Sequence, residues 1–145
     1  MDERGWDIRS YNVANDETFL LDSWLNAYRA SPWAGAVPNN KYFDVYGDAI
    51  KELLTRGSKV LVACNPDNSS QILGWVCYEL SARGDKVVHF VYVKDVFRKL
   101  GIANSLIGAA GINPKGRFYY TYKTKMSKVF KLAAHEPAIA RRVKA

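Results

Sequence analysis

Residues Lys86 to Ala110, KVVHFVYVKDVFRKLGIANSLIGAA, constrain the fold more than any other stretch of the chain. The segment opens with Val87, Val88, Phe90, Val91, Tyr92 and Val93, all β-branched or aromatic. A run this apolar predicts a strand covered on both faces, which only a layered fold provides. Lys94 to Phe97 then turn the chain. Arg98-Lys99-Leu100-Gly101-Ile102-Ala103 leads into a short helix expected over Asn104 to Ala110 and ended by Gly111. A strand, a basic glycine-containing loop and a helix N-terminus, in that order, can hold a phosphate. First-turn N–H groups of a helix have no internal acceptor, and the helix dipole adds about half a positive charge there. Gly101 has no Cβ to keep a ligand off the backbone, and Arg98 and Lys99 add formal charge. The stretch has neither GxxxxGK followed by Ser or Thr nor GxGxxG, so it is not a Walker loop or a dinucleotide fingerprint.

A chain of 145 residues, 48% of them hydrophobic, predicts one domain with a substantial core, spanning 1–145. No apolar run approaches the ~20 residues of a membrane span, and the polar start Met-Asp-Glu-Arg-Gly-Trp lacks the apolar region of a signal peptide. Cys64 and Cys77 both fall in expected strands and read as buried free thiols, which predicts a cytoplasmic protein. Two distant histidines argue against a metal site. Charge is unevenly placed. Residues 1–113 hold 12 Lys and Arg against 13 acids, whereas 114–145 hold nine against Glu136 alone. A basic segment over 114–145, ending in a basic tail over 136–145, predicts either an anionic partner or a solvated face. The partner classes are CoA phosphates, an acidic protein surface or nucleic acid. Arg117, Tyr119, Tyr120, Tyr122, Lys123 and Lys125 interleave aromatics with cations, as surfaces that stack bases do; strand propensity produces the same pattern.

In chain order, Trp6 to Tyr11 alternates as a first strand. Asn15-Asp16-Glu17 starts a helix over Asp16 to Arg29, with Phe19, Leu20, Trp24, Leu25 and Tyr28 at helical spacing. Ser31 to Pro38 is a loop whose Trp33 either lines a pocket or lids the core. A second helix runs over Lys41 to Arg56 and stops at Gly57. Strands follow at Lys59 to Cys64 and Gln71 to Leu80, with Gly74 at a bulge. After the central strand and its helix come a break at Asn113-Pro114-Lys115-Gly116, a fifth strand over Arg117 to Lys123 and a last helix over Met126 to His135. The class is α/β, an α+β mixed sheet in the order β-α-α-β-β-β-α-β-α.

Val93 to Ala103, VKDVFRKLGIA, resembles motif A of the GCN5-related N-acetyltransferases (GNATs), V-x-P-x-(Y/F)-(R/Q)-x-x-G-x-(G/A). Asp95 replaces the proline. The element order is also that of the family over residues 6–135, with a shortened C-terminal end. The run HFVYVKDVFRKLGIA is similar to compact phage-encoded members of the group. The resemblance implies a GNAT-like fold and an acyl-CoA-dependent N-acetyltransferase that moves an acetyl group from acetyl-CoA to a primary amine. It implies that Arg98, Lys99, Leu100, Gly101, Ile102 and Ala103 bind the pyrophosphate. It also implies that the splayed end of the preceding strand takes the pantetheine arm, with Tyr92 and Val93 offering amides to the thioester carbonyl.

The family often carries a strand histidine at this spacing from the motif, which makes His89 the first candidate for relaying the amine's proton. The alternative is a half-buried strand histidine bonded to backbone. Glu79 on the neighbouring strand is the second candidate base, or else an outward-facing acid. The family's general-acid tyrosine falls at Phe130 in this chain, so Tyr119, Tyr120 or Tyr122 would have to supply the hydroxyl. Tyr122 is the candidate carried forward, against ordinary cross-strand packing. Loss of that tyrosine leaves a second reading, a catalytically silent GNAT-fold binding or structural protein.

Overall fold

The computed structural model describes residues 5–30, 39–80, 84–98, 100–122 and 133–135. Its elements are β1 (Asp7–Ser10), α1 (Val13–Arg29), α2 (Asn39–Thr55), β2 (Lys59–Asn65), β3 (Asn68–Leu80), β4 (Lys86–Val93), a 3₁₀ turn at Asp95–Phe97, α3 (Ile102–Ala109), β5 (Phe118–Tyr120) and β6 (Ala133–His135). One sheet holds the strands in the order β1-β2-β3-β4-β5-β6. The first four pair antiparallel, while β5 joins β4, and β6 joins β5, in parallel. Parallel pairing of consecutive strands needs a crossover, and α3 provides it between β4 and β5.

The sheet separates two apolar layers, and alternation along β4 feeds both. Val88, Val91 and Val93 pack with Val76, Ile102, Leu106, Ile107 and Phe118 on the α3 side. Phe90 packs with Leu20, Trp24, Tyr42, Leu53 and Trp75 on the side of α1 and α2. β4 is therefore buried on both faces from Val87 to Val91, as its composition predicts. Full burial of one such side chain contributes roughly 1.5–3 kcal/mol, so the paired layers hold β4 fixed beneath whatever site it carries.

Element order matches expectation as far as β5, but the boundaries shift. α1 begins at Val13, three residues early, because Asn12 caps it by accepting from the Ala14 N–H at 3.0 Å. Asp16 instead accepts from the Asn12 N–H at 2.7 Å and from both terminal nitrogens of Arg9, at 2.7 and 2.9 Å, so it ties β1 to α1. α3 begins at Ile102 rather than Asn104, since Gly101 already forms its cap. β5 is three residues long rather than seven. The helix expected over 126–135 meets a strand at Ala133–His135, where Tyr119 pairs with Ala134. A short run of small residues fits beside β5 as well as it continues a helix. Trp33, Lys99, Phe130, most of the basic segment and the whole tail 136–145 lie outside the described residues.

Gly74 does stand at a bulge: Ala63 pairs with Gly74 while Cys64 pairs with Ile72. Close approach demands the glycine. A Cβ there would lie 2.5 Å from the Tyr92 carbonyl oxygen.

Candidate active site

The loop after β4 is braced from within. Arg98 donates through Nε to the Val93 carbonyl at 2.9 Å, and its Nη1 pairs with Asp95 at 2.5 Å. The charge expected to face a ligand is therefore shared with Asp95, the residue that replaces the motif's proline. Gly101 has φ +95°, in the left-handed region that glycine tolerates, and nothing lies within 4 Å of where its Cβ would be. The first bond within α3 runs from the Ser105 N–H to the Gly101 carbonyl at 3.0 Å. The N–H groups of Ile102, Ala103 and Asn104 thus precede the helical ladder, and no side chain caps them among the described residues. Ile102 is buried and Leu100 exposed, so these two positions can meet an anion only through their backbone. Asn104 was not singled out from the sequence, because the helix starts two residues earlier than its spacing suggests.

Among the described residues, β4 and β5 part before the end of β4. Their pairing consists of Val87 with Tyr119 and Val88 with Tyr120, followed by the Thr121 N–H to the Val88 carbonyl at 3.2 Å. Beyond that rung, β4 runs on to Val93 with β3 alone beside it among the described residues. In an antiparallel pair, alternate residues turn their amides to the partner. The Lys94 N–H donates to the Leu73 carbonyl at 2.9 Å. Tyr92, opposite Trp75, therefore faces its amide to β3, while Val93, opposite Gly74, turns its amide and carbonyl to the parting. The bond from Arg98 to the Val93 carbonyl agrees. Of the two expected amide donors, only Val93 points to the parting; Tyr92 contributes its ring, stacked on Trp75 with centroids 6.0 Å apart.

His89 and Glu79 come together at the head of the parting. Cys77 faces Phe90 and Tyr78 faces Val88, so His89 is the extra residue of a β-bulge. Its ring is fully buried. Nε2 bonds Glu79 Oε1, and Nδ1 lies 2.8 Å from Thr121 Oγ1. The same Glu79 oxygen accepts from Arg56 Nη2 at 2.6 Å, Arg56 Nε at 3.1 Å and Ser58 Oγ at 3.1 Å. Burial alone would raise the Glu79 pKa, but the bonds from His89 and Arg56 outweigh it and bring it to about 2. Burial lowers the His89 pKa against the pull of Glu79. Glu79 is then a carboxylate that can only accept, which puts the His89 proton on Nε2. Nδ1 is left as an acceptor for the Thr121 hydroxyl. The sequence marks His89 and Glu79 separately. It gives no sign of Arg56, Ser58 or Thr121.

Aromatic rings crowd the α1 side of the sheet here. Tyr122 lies edge-on to Trp24 at 5.4 Å and to Tyr28 at 5.1 Å, and Phe19 lies edge-on to Tyr92 at 6.2 Å. At the opposite edge of the sheet, an open polar cleft of about 480 Å³ is lined by Arg9, Asn12 and Asp16, whose charges already satisfy one another. Among the described residues there is no cluster of three or more His, Cys, Asp or Glu able to hold a metal, and no helix long and apolar enough to cross a membrane.

No protein-family model and no curated protein matches the chain. Solved structures do. A Pyrococcus furiosus protein assigned as an acetyl transferase superposes with a TM-score of 0.59 at 20% identity, covering 97% of this chain and 93% of that one. A GNAT family acetyltransferase from Brucella melitensis, in complex with acetyl-CoA, gives 0.54 at 20% identity over 75% and 69%. The GCN5-related glucosamine N-acetyltransferase region of a fungal multi-domain GH3 beta-N-acetylglucosaminidase gives 0.53 at 18% over 72% of this chain, which spans 12% of that protein. The shared architecture is the GNAT fold.

Proposed function

From the GNAT fold of this chain we infer an N-acetyltransferase that moves the acetyl group of acetyl-CoA to a primary amine. The observation that carries the reading is the open N-terminus of α3, reached from the end of β4 through Gly101. An anion fits there. The Gly101 conformation leaves the approach clear, and three amides precede the helical ladder. In this reading the amides of Ile102, Ala103 and Asn104 hold the pyrophosphate, with Leu100 and Lys99 beside it, and Arg98 keeps the loop in shape. The Val93 amide faces the thioester carbonyl, where one such donor contributes about 10²–10³-fold. His89 and Glu79 take up the amine's proton, and Tyr122 supplies a hydroxyl to the leaving sulfur.

Calorimetric titration of acetyl-CoA into the purified chain tests the reading, with desulfo-CoA and ATP as comparisons. Micromolar affinity, about −8 kcal/mol, is expected for acetyl-CoA, and Gly101→Glu is expected to weaken it at least about 100-fold by filling and charging the anion site. Undiminished binding by Gly101→Glu removes the loop from the site, and no heat at millimolar acetyl-CoA removes the function.

A further inference from the structure

Three strands meet on one imidazole. His89 is the extra residue of the β4 bulge and is fully buried. Its Nε2 donates to Glu79 of β3, and its Nδ1 accepts from the Thr121 hydroxyl, 2.8 Å away, just past the end of β5. The same Glu79 oxygen also takes two bonds from Arg56 and one from Ser58. The ladder between β5 and β4 is short. Val87 faces Tyr119, Val88 faces Tyr120, and the Thr121 N–H adds the last described rung, to the Val88 carbonyl at 3.2 Å.

A neutral ring suits this arrangement and a charged one does not. Arg56 already sets a positive charge on Glu79 Oε1, so a proton on His89 puts a second one beside it, out of water. The proton also turns Nδ1 from acceptor to donor, facing a hydroxyl that was donating to it. The His89 carbonyl, at 3.5 Å, is a long reach for the displaced hydroxyl proton. The remaining elements offer no balancing charge. β5 and α3 carry no charged side chain. On β3, the buried Cys77 thiol is pushed far up and stays neutral. The buried acid of α1, Asp16, is held by Arg9. Relief comes from exposure: once Thr121 parts from β4, water reaches the ring, delivers the proton and solvates the charge.

We propose that the His89 cluster is an acid-released clasp, which holds the Thr121 end of β5 to β4 while the imidazole is neutral and lets that end part when it is protonated, with β1 to β4 still paired. The clasp needs no ligand and works whether or not the chain binds acetyl-CoA. Burial holds the closed ring below its ordinary value, so opening takes up a proton below about pH 6.5. Acid then favours the open form by about tenfold per pH unit, until the closed ring itself titrates.

Amide hydrogen exchange on the wild-type chain and on His89→Gln tests this, at about pH 7.5 and about pH 5.5, after correction for intrinsic exchange. It is read at Thr121 and at Tyr92, whose N–H faces β3. The ¹⁵N resonances of the His89 ring are followed over the same range. In wild type, Thr121 is expected to be less protected than Tyr92 at both values, and to lose about tenfold in protection at the lower one. In His89→Gln the Thr121 protection is expected to change less than twofold.

Equal protection of Thr121 and Tyr92 overturns the clasp, because Thr121 then opens only with the whole molecule. Protection of Thr121 that does not change with pH, or that falls as far in His89→Gln, overturns it as well. If His89→Gln does not fold, the wild-type ring decides. Loss of Thr121 protection in step with His89 protonation sustains the clasp; a ring that titrates while Thr121 stays protected, or stays neutral while protection is lost, overturns it.

Discussion

Gly101 holds its backbone at φ +95° with open space where a side chain would begin. That combination separates two effects that usually arrive together. Gly101→Ala meets no atom and bears only the left-handed strain of an L-residue, about 1–2 kcal/mol. It is expected to lower the melting temperature by several degrees with only modest loss of acetyl-CoA affinity; a loss as deep as that of Gly101→Glu would mean that affinity depends on the loop's conformation rather than its openness. The glycine was legible because a required backbone geometry leaves a trace in residue type. Arg98 was only half legible. Its identity is plain, but which acid pairs with it depends on the 3₁₀ turn that brings Asp95 within 2.5 Å. His89 and Glu79 were each visible as candidates, and their contact was not. The bulge that turns His89 toward Glu79 is a break in strand period that β-branched neighbours conceal. Thr121 was invisible because a threonine in a strand is unremarkable until its hydrogen-bond partner is known.

Elements fit together through a few positions that allow no change in volume or charge. β3 and β4 meet at Gly74, where a Cβ would lie 2.5 Å from the Tyr92 carbonyl oxygen and 3.2 Å from Val93 atoms. Gly74→Ala must displace backbone, and a cost of about 2–4 kcal/mol is expected by denaturant unfolding. Because Val93 follows Tyr92 on the same strand end, acetyl-CoA affinity should fall as well; unchanged stability would mean that β3 has slack at the bulge. The helices and strands themselves were readable from periodicity, since the apolar positions of α1, α2 and β4 recur at the spacing of their elements. Their ends were not. Asn12 rather than Asn15 caps α1, and either asparagine suits the role by type. β6 runs over Ala133–His135, where local propensity favours a helix and pairing with β5 prevails.

Two apolar layers on one sheet predict that the described residues unfold as a unit, and their buried ion pairs set how they respond to acid. His89 has its pKa lowered by burial. Between its folded value and the ordinary 6.5, the unfolded chain binds the proton and the folded chain does not, so stability falls as pH drops below about 6.5. Asp16 is held low by its hydrogen bonds to Arg9, against burial, and Glu79 by His89 and Arg56 to about 2. Both contribute stability that is full above about pH 4.5 and lost as pH falls toward their folded values. The expected melting curve is highest near neutrality, declines gently below about pH 6.5 and steeply below about 4.5. Asp16→Asn should flatten part of the steep limb. A melting temperature constant from pH 7 to 4 would mean that these groups are not paired as described.

Strand order in the sheet is also strand order in the chain, which has a consequence for synthesis. A chain made from its N-terminus at about 5–20 residues per second presents each new strand to a neighbour that already exists. β3 finds β2 waiting, and β4 finds β3. The loop through Gly101 and α3 can therefore settle on a four-stranded platform while the remainder is still inside the ribosome. Only when Thr121 emerges does β5 supply the second wall and the hydroxyl beside His89. The turn through Gly101 can thus settle before His89 gains its last neighbour.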